Sequence, residues 1–452
     1  MKILLVRLKS YGFPCPNPDM PLGLLYVAAA LEKANHTVVL RDLNWQEIED
    51  DIWNEIKTGE IQVVGISMLS MVRSAGYDLC KKIKEINPKV KTVIGGIHAT
   101  AVGKNIVEKL WYVDACVSGE GESSFAELIY SYGEGEKYYR SGIAGVYDRR
   151  FYSNFYCNFD VEFTERGPIP NLDTIPFPAW KHTNFDKFQM TCVNSLKGKI
   201  EVVNGIELAT ARWSPMIASR GCIGKCIFCN AWKHWGNMVR FRSAENILDE
   251  VETLYNEHNI RLIAFNDDAF PMKRSQCVEF CEGLIKRNLR IAWQTTTRAD
   301  MVDDELCKLM KESGCFMVAV GIESGSQKIH DRLNKKLNLD RAMEGMLSIR
   351  KSGMVLYPLL MIGNPGETEN TIDETIEYLN KAKPYFYSYV SGVMIVPGTE
   401  LCRMCNIADN YWVEEGKDGL PKYLKENNKE QLRYFSCKIQ NGVNVVQDKL
   451  IF

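Results

Sequence analysis

Short β-branched or apolar runs alternate with amphipathic stretches twice along this chain, in two different rhythms, and that alternation constrains the fold more than anything else. Over residues 1–132 it runs Lys2–Val6, Leu22–Ala34, Thr37–Leu40, Trp45–Lys57, Val63–Ser67, Ala75–Ile86, Lys91–Ile94, Ala115–Ser118 and Ser123–Ser131. Strand, helix and strand in this order predict an open parallel sheet with helices on both faces. Ligands of such sheets sit beyond the carboxyl ends of the strands, here the loops Arg7–Met20, Ser67–Ser74, Gly95–Thr100 and Gly119–Glu122. After a proline-stiffened stretch, Pro168-Ile-Pro-Asn-Leu-Asp and Ile175-Pro-Phe-Pro, alternation resumes from Pro215. Strands are expected at Met216–Arg220, Arg261–Asn266, Arg290–Thr295, Phe316–Gly321, Val355–Ile362 and Tyr387–Ile395. Helices are expected between them at Ala244–Asn256, Arg274–Arg287, Asp303–Ser313, Leu339–Ser352 and Glu369–Ala382, so six β/α units predict an incomplete barrel. The expected division is therefore α/β throughout: a sheet domain over 1–140, a linker over 141–213, a partial barrel over 214–399 and a small cap over 400–452.

Composition narrows the function classes. Hydrophobic residues make up 46% of the 452 and charged residues 25%, which supplies a core and excludes wholesale disorder. Fifty-five Lys and Arg stand against 57 Asp and Glu, so there is no bulk positive field to hold a nucleic acid. The apolar stretch Leu22–Leu31 is too short to span a bilayer, and Met1-Lys2-Ile3 runs directly into a strand; a cytoplasmic chain is expected. In that setting 15 cysteines read as free thiols or metal ligands rather than disulfides.

Three of these cysteines carry the strongest chemical signal. Cys222-Ile-Gly-Lys-Cys226-Ile-Phe-Cys229 follows an expected strand directly, and chance would produce this spacing roughly 0.02 times in a chain of this cysteine content. A tight loop can aim three thiolates at one cluster, and a four-iron cubane held by three thiolates keeps one iron free for another ligand. Structural zinc with a distant fourth ligand is the alternative. The position, at the carboxyl end of the first barrel strand, is where such barrels do chemistry.

With Phe228 before its last cysteine, this loop resembles the radical S-adenosylmethionine (SAM) superfamily. The resemblance implies a [4Fe-4S] cluster on Cys222, Cys226 and Cys229, whose open iron is chelated by SAM and whose reduced form yields a 5′-deoxyadenosyl radical. It further implies SAM contacts at the other strand ends. Asp267 or Asp268, in Asn266-Asp-Asp-Ala-Phe270, would meet the methionine ammonium, and Arg298 the carboxylate. Glu323, in Gly321-Ile-Glu-Ser-Gly-Ser, would meet the ribose, and Ile362 with Gly363 the adenine.

The N-terminal sheet resembles the cobalamin-binding domain that precedes many radical SAM domains. Gly95-Gly96-Ile-His98-Ala-Thr, Gly119-Glu120-Gly121-Glu122, Gly65-Ile-Ser-Met-Leu-Ser and Pro21-Leu-Gly-Leu-Leu-Tyr-Val-Ala-Ala-Ala carry the likeness. A Rossmann Gly-x-Gly-x-x-Gly is missing from the first strand–helix turn, which argues against a dinucleotide. The resemblance implies a Rossmann-like domain holding base-off cobalamin, with Ser67, Leu69, Ser70, Gly95, Gly96, His98, Gly119, Glu120, Gly121 and Glu122 near it. No Asp-x-His-x-x-Gly occurs, so no histidine is marked as a lower cobalt ligand.

Cys402, Cys405 and Cys437 form a candidate auxiliary metal site, with free thiols as the competing reading. Cys277 and Cys281, one helical turn apart, read as core. The resemblance implies a cobalamin-dependent radical SAM methyltransferase acting on an unactivated carbon and served by a low-potential electron donor of the flavodoxin or ferredoxin kind. Size and domain order are similar to those of enzymes that methylate a glutamine of methyl-coenzyme M reductase, which makes a protein residue or a small molecule the expected substrate. A cyclase or oxidoreductase without methyl transfer, and a non-catalytic corrinoid or redox sensor, are the alternatives.

Overall fold

The computed structural model of the chain describes residues 1–9, 19–134, 142–152, 163–188, 190, 200–385, 389–407, 409–414 and 429–444. Cys15, Cys157 and Cys192, much of the loop Arg7–Met20 and the start of the strand expected at Tyr387–Ile395 lie outside the described residues. The chain forms two units. One comprises Met1–Lys187, Asn230–Met238 and Val396–Leu420, the other Phe188–Cys229, Val239–Ile395 and Pro421–Phe452.

In the first unit, strands β1 (Lys2–Arg7), β2 (Thr37–Asp42), β3 (Ile61–Ser67), β4 (Lys91–Gly95), β5 (Ala115–Val117) and β6 (Val146–Asp148) form one sheet in the order β2-β1-β3-β4-β5-β6. The first five are parallel, and β6 runs antiparallel on β5. Helices α1 (Leu22–Lys33), α2 (Asp50–Thr58), α3 (Arg73–Ile86), α4 (Ile97–Lys109) and α5 (Gly121–Glu134) connect or flank these strands. Both faces are covered, which is why Ile3-Leu-Leu-Val and Val63, Val64 and Ile66 read as apolar runs rather than an alternation. The strand order reverses between β1 and β3, a switch point at which open sheets bind ligands, and register sets Arg7, Ser67 and Gly95 level at the carboxyl edge.

Two of these elements have no counterpart in the sequence reading. Gly95–Thr100 was expected to be a loop, yet α4 begins at Ile97; its small and β-branched residues and Gly103 conceal the helical period, and Val102 breaks the helical geometry inside it. The short strand β6 is three residues long, below what periodicity reveals.

The second unit is a six-stranded parallel sheet whose spatial order follows the chain, as in a β/α barrel: β7 (Trp213–Met216), β8 (Leu262–Phe265), β9 (Ala292–Thr297), β10 (Cys315–Glu323), β11 (Val355–Ile362) and β12 (Tyr389–Gly392). Helices α6 (Ala244–Glu257), α7 (Arg274–Lys286), α8 (Asp304–Glu312), α9 (Leu339–Lys351) and α10 (Glu369–Ala382) alternate with the strands. Four of the five start on a side-chain cap: Ser243, Asp303, Asn338 and Thr368 each accept an amide of the first turn. Behind β8 and β9, the rings of Phe265, Phe270, Phe280 and Trp293 pack edge-on or tilted at 4.4–6.2 Å, a core that fixes these two strands.

The first barrel strand, expected at Met216–Arg220, lies earlier, at Trp213–Met216, while Ser219–Arg220 pairs antiparallel with Arg240–Phe241. The tail expected as one cap is divided. Trp412 is buried in the first unit, where its carbonyl accepts from Tyr77 Oη at 3.2 Å; helix α11 (Lys429–Gly442) packs in the second, with Asn380 Nδ2 donating to Gly442 O at 2.9 Å.

Candidate active site

The cysteine loop leaves the sheet just past β7. Cys222, Cys226 and Cys229 are all partly exposed, whereas Cys80, Cys116, Cys277, Cys281, Cys307 and Cys315 are buried. The Gly224 amide points at Cys222 Sγ at 3.3 Å, and a Cβ on Gly224 would lie 3.5 Å from that sulfur and 3.6 Å from Cys226 Sγ, so two of the thiols close over one glycine. Among the described residues no three His, Cys, Asp or Glu side chains converge on a single-ion position. Thiolates of a cubane each meet a separate iron, so their donor chemistry and loop placement fit such a cluster.

A second loop braces the first. Ile227 N donates to Leu333 O at 3.0 Å and Asn334 Nδ2 to Lys225 O at 2.9 Å. Next to Asn334, the ammonium of Lys335 pairs with Glu323 at 2.5 Å, both side chains being largely buried. Burial pushes the Cys226 thiol up, and the nearby Lys335 and Arg298 cations act in the opposite direction, favouring thiolate. Glu323 sits at φ +59°, a left-handed backbone that a residue with a side chain adopts only when its surroundings impose it. Lys335 escaped the sequence reading, since a lysine after a short helix carries no motif. Only its position between Glu323 and the cysteine loop marks it.

The remaining strand-end residues differ in how committed they are. Asp267 is buried and its carboxylate accepts from the Ala218 and Ser219 amides and from Ser219 Oγ, whereas Asp268 faces out. Arg298 is held by Asp300 at 2.8 and 3.0 Å and donates to the carbonyls of Lys335 and Lys336. Ile362 is buried at the end of β11, and Phe228 is partly exposed on the cysteine loop. Glu367 accepts from the Gly363 amide at 2.6 Å and from Asn364 at 2.8 Å, which shapes the turn after β11.

In the first unit, Thr100 stitches two of the expected ligand loops together: its Oγ1 donates to Gly96 O at 3.0 Å and accepts from Gly119 N at 2.9 Å. Leu69 is 43% exposed and Ile97 36%, so apolar side chains stand open at the carboxyl edge of the sheet. That edge fits a broad, flat cofactor with an apolar face. Glu120 accepts from Ile169 N at 2.6 Å, while Ser67 ends β3 and Gly121 and Glu122 open α5. His98 is fully buried. Its Nδ1 meets Ser70 Oγ at 2.9 Å and its Nε2 meets Tyr77 Oη at 2.7 Å, so both ring nitrogens are engaged. Burial, with Arg73 adding to it, pushes its pKa down to about 3, which keeps the ring neutral.

Cys402 and Cys405 belong to the first unit, at the short helix Glu400–Met404, and Cys437 is exposed on α11 of the second. Cys277 and Cys281 are buried on α7 with their sulfurs 4.0 Å apart, as core residues.

Comparison with known families agrees with this geometry. Residues 16–129 match the B12 binding domain and residues 216–379 the radical SAM superfamily. The chain is a radical SAM enzyme with a B12-binding domain. A [4Fe-4S] cluster, SAM and cobalamin are its cofactors. It is 29% identical over 448 residues to the cytidylyl-2-hydroxyethylphosphonate methyltransferase of Streptomyces wedmorensis, covering 89% of this chain and 81% of that protein. To the anaerobic magnesium-protoporphyrin IX monomethyl ester cyclase of Rubrivivax gelatinosus it is 25% identical over 378 residues, 80% of this chain and 62% of that one. The fold is that of the radical SAM methyltransferase TsrM from Kitasatospora setae, solved with cobalamin and a [4Fe-4S] cluster: TM-score 0.68, 16% identity, 88% of this chain and 76% of that chain.

Proposed function

We propose that this enzyme transfers a methyl group to an unactivated carbon. The observation that carries the reading is the pairing, in one chain, of a three-thiol loop at the carboxyl end of β7 with a B12-binding sheet open at its switch point. Similarity to the Streptomyces wedmorensis methyltransferase supports it. Together the bound groups would supply a path for a low-potential electron, a hydrogen-abstracting radical and a transferable methyl group.

The chain's own residues bind and orient. Cys222, Cys226 and Cys229 would hold the cluster. Phe228, Asp268, Arg298, Glu323 and Ile362 would hold SAM, and Lys335 pairs with Glu323 and holds it in place. Ser67, Leu69, Ser70, Gly95, Gly96, Gly119 and the Glu120–Glu122 turn would hold cobalamin. His98 orients Ser70 and Tyr77 beneath that surface instead of meeting the cobalt. A ferredoxin- or flavodoxin-like donor would deliver the electron, and the exposed Ile223 and Lys225 leave the cysteine loop open to it.

Gly96 offers a direct check on the cobalamin surface. It has φ +91°, and a Cβ there would lie 3.1 Å from Met68 O and 3.5 Å from Ser67 Oγ, against the loop that follows β3. Gly96→Ala is expected to displace that loop at a cost of about 1–3 kcal/mol. Cobalamin retained through gel filtration, read by visible absorbance, should fall roughly 10-fold or more while iron content stays at the parent level.

A glutamine in a protein is the first substrate to test, on chain size and domain order. The reaction test uses anaerobically reconstituted protein, cobalamin, a reductant, a glutamine peptide and SAM labelled in its methyl group. Label in the peptide supports methyl transfer to that substrate. Turnover of any substrate with 5′-deoxyadenosine formed and no label in product favours the second reading, a ring-forming or oxidative reaction, for which the likeness to the Rubrivivax cyclase speaks.

A further inference from the structure

Asp267 lies two residues past β8, and its buried carboxylate faces the chain just beyond the end of the neighbouring strand β7. Oδ1 accepts from Ser219 N at 2.6 Å, Ser219 Oγ at 2.6 Å and Ala218 N at 3.1 Å; Oδ2 lies 3.0 Å from the same Ala218 amide. The pairing of β7 with β8 runs as far as Met216 opposite Phe265, and Asn266 N still donates to Met216 O at 2.8 Å. Beyond that point a side chain takes over from the sheet. This accounts for the first barrel strand ending at Met216, where the sequence reading has it begin.

The other side of the same peptide is also fixed. Ala218 O accepts from Arg242 N at 2.9 Å and from Gln276 Nε2 at 3.0 Å, and Arg242 Nη1 donates to Ile217 O at 2.9 Å. Asp268 holds the Gly221 amide. Cys222 comes next. A carboxylate so placed is costly: among the described residues no cation partners Asp267, and burial pushes its pKa up to about 7 despite the donors that favour the ionised form. Its partners are backbone groups of the chain entering the cysteine loop, so its effect is on where that loop starts.

We infer that Asp267 is a positioning residue for the iron–sulfur cluster, clamping Ala218 and Ser219 so that Cys222 is presented in one place. The outward-facing Asp268 is left as the carboxylate for the SAM ammonium. This rests on the functional reading above, in which Cys222, Cys226 and Cys229 hold the cluster. Asp267→Asn keeps the shape but turns an amide donor onto donors, and Ser219→Ala removes a single contact.

The test is anaerobic reconstitution of the full chain, with iron and sulfide per chain, the EPR signal of the reduced cluster with and without SAM, and far-UV circular dichroism as the fold control. The expected result for Asp267→Asn is a roughly 10–100-fold weaker hold on iron, the range for removing an outer-sphere support, with an altered EPR signal in a folded chain. Ser219→Ala should shift both readouts the same way by less. Asp268→Asn, which keeps an amide oxygen to accept from Gly221, should weaken the hold on iron less than Asp267→Asn does and lose its response to SAM. An Asp267→Asn chain with the parent's cluster but no SAM response overturns the inference, because Asp267 would then be a ligand contact. So does an unfolded Asp267→Asn chain accompanied by a Ser219→Ala chain identical to the parent. A parent chain that holds no cluster at all overturns the functional reading, and the inference with it.

Discussion

Cys226→Ala is expected to abolish both iron retention and 5′-deoxyadenosine formation while leaving cobalamin bound. Losing an outer-sphere support costs a metal site roughly 10–100-fold in affinity, and losing one of three direct ligands costs more, so the cluster should fall below detection after desalting. Cys226 is the thiol placed between the other two in sequence and set beside Lys335, Arg298 and Glu323. Cys402, Cys405 and Cys437 lie outside this loop, and the other described cysteines are buried. Cobalamin is the internal control, because Ser67, Gly96 and Thr100 belong to a unit with its own sheet and core. Iron by chelator assay, 5′-deoxyadenosine by liquid chromatography and cobalamin by absorbance separate the outcomes. A variant that keeps iron and turnover would remove the three-thiol cluster from the mechanism. Unchanged ligand binding with no 5′-deoxyadenosine from the parent itself would favour the sensor reading.

The parts legible in the sequence are those set by periodicity and by spacing. The barrel helices begin where Ser243, Asp303, Asn338 and Thr368 mark caps, and β11 spans Val355–Ile362 as its apolar run indicates. The cysteine triplet stands out because three ligands fall within one loop, where neighbours in sequence are neighbours in space. What could not be read is everything made by contact across the chain. Whether Asp267 or Asp268 turns inward depends on the amides of residues 49 and 48 positions away, and adjacent acidic residues look alike in a sequence. His98 beside a glycine pair gives no sign in the sequence that Ser70 and Tyr77 engage both of its ring nitrogens. Helix α4 was hidden for a local reason, its weak helix formers, and is held by packing against β5 and β6.

Lys335→Met is expected to destabilise the barrel unit and weaken its hold on iron, because it strands a carboxylate. Glu323 and Lys335 form an ion pair at 2.5 Å with side chains 14% and 8% exposed. Removing one partner of a buried pair leaves an uncompensated charge, at a cost of about 3–5 kcal/mol, whereas removing both together is often close to neutral. For a unit of this size about 2–4 °C of melting temperature accompanies each kcal/mol, so the single replacement should lower the transition by roughly 6–20 °C. The double replacement Lys335→Met with Glu323→Gln should recover most of that loss, and Lys335→Arg part of it, since the guanidinium keeps the charge but changes the shape. The iron readout should follow a different pattern. Residues 333–336 brace the cysteine loop through Leu333 O and Asn334 Nδ2, and the Lys335 ammonium favours thiolate at Cys226, so the double variant should regain stability without regaining the parent's hold on iron. Differential scanning calorimetry and iron content on the same four proteins decide the matter. Parallel recovery of both quantities would reduce the pair to a structural ion pair, and no loss in Lys335→Met would show that the pair contributes nothing measurable to the stability of the unit.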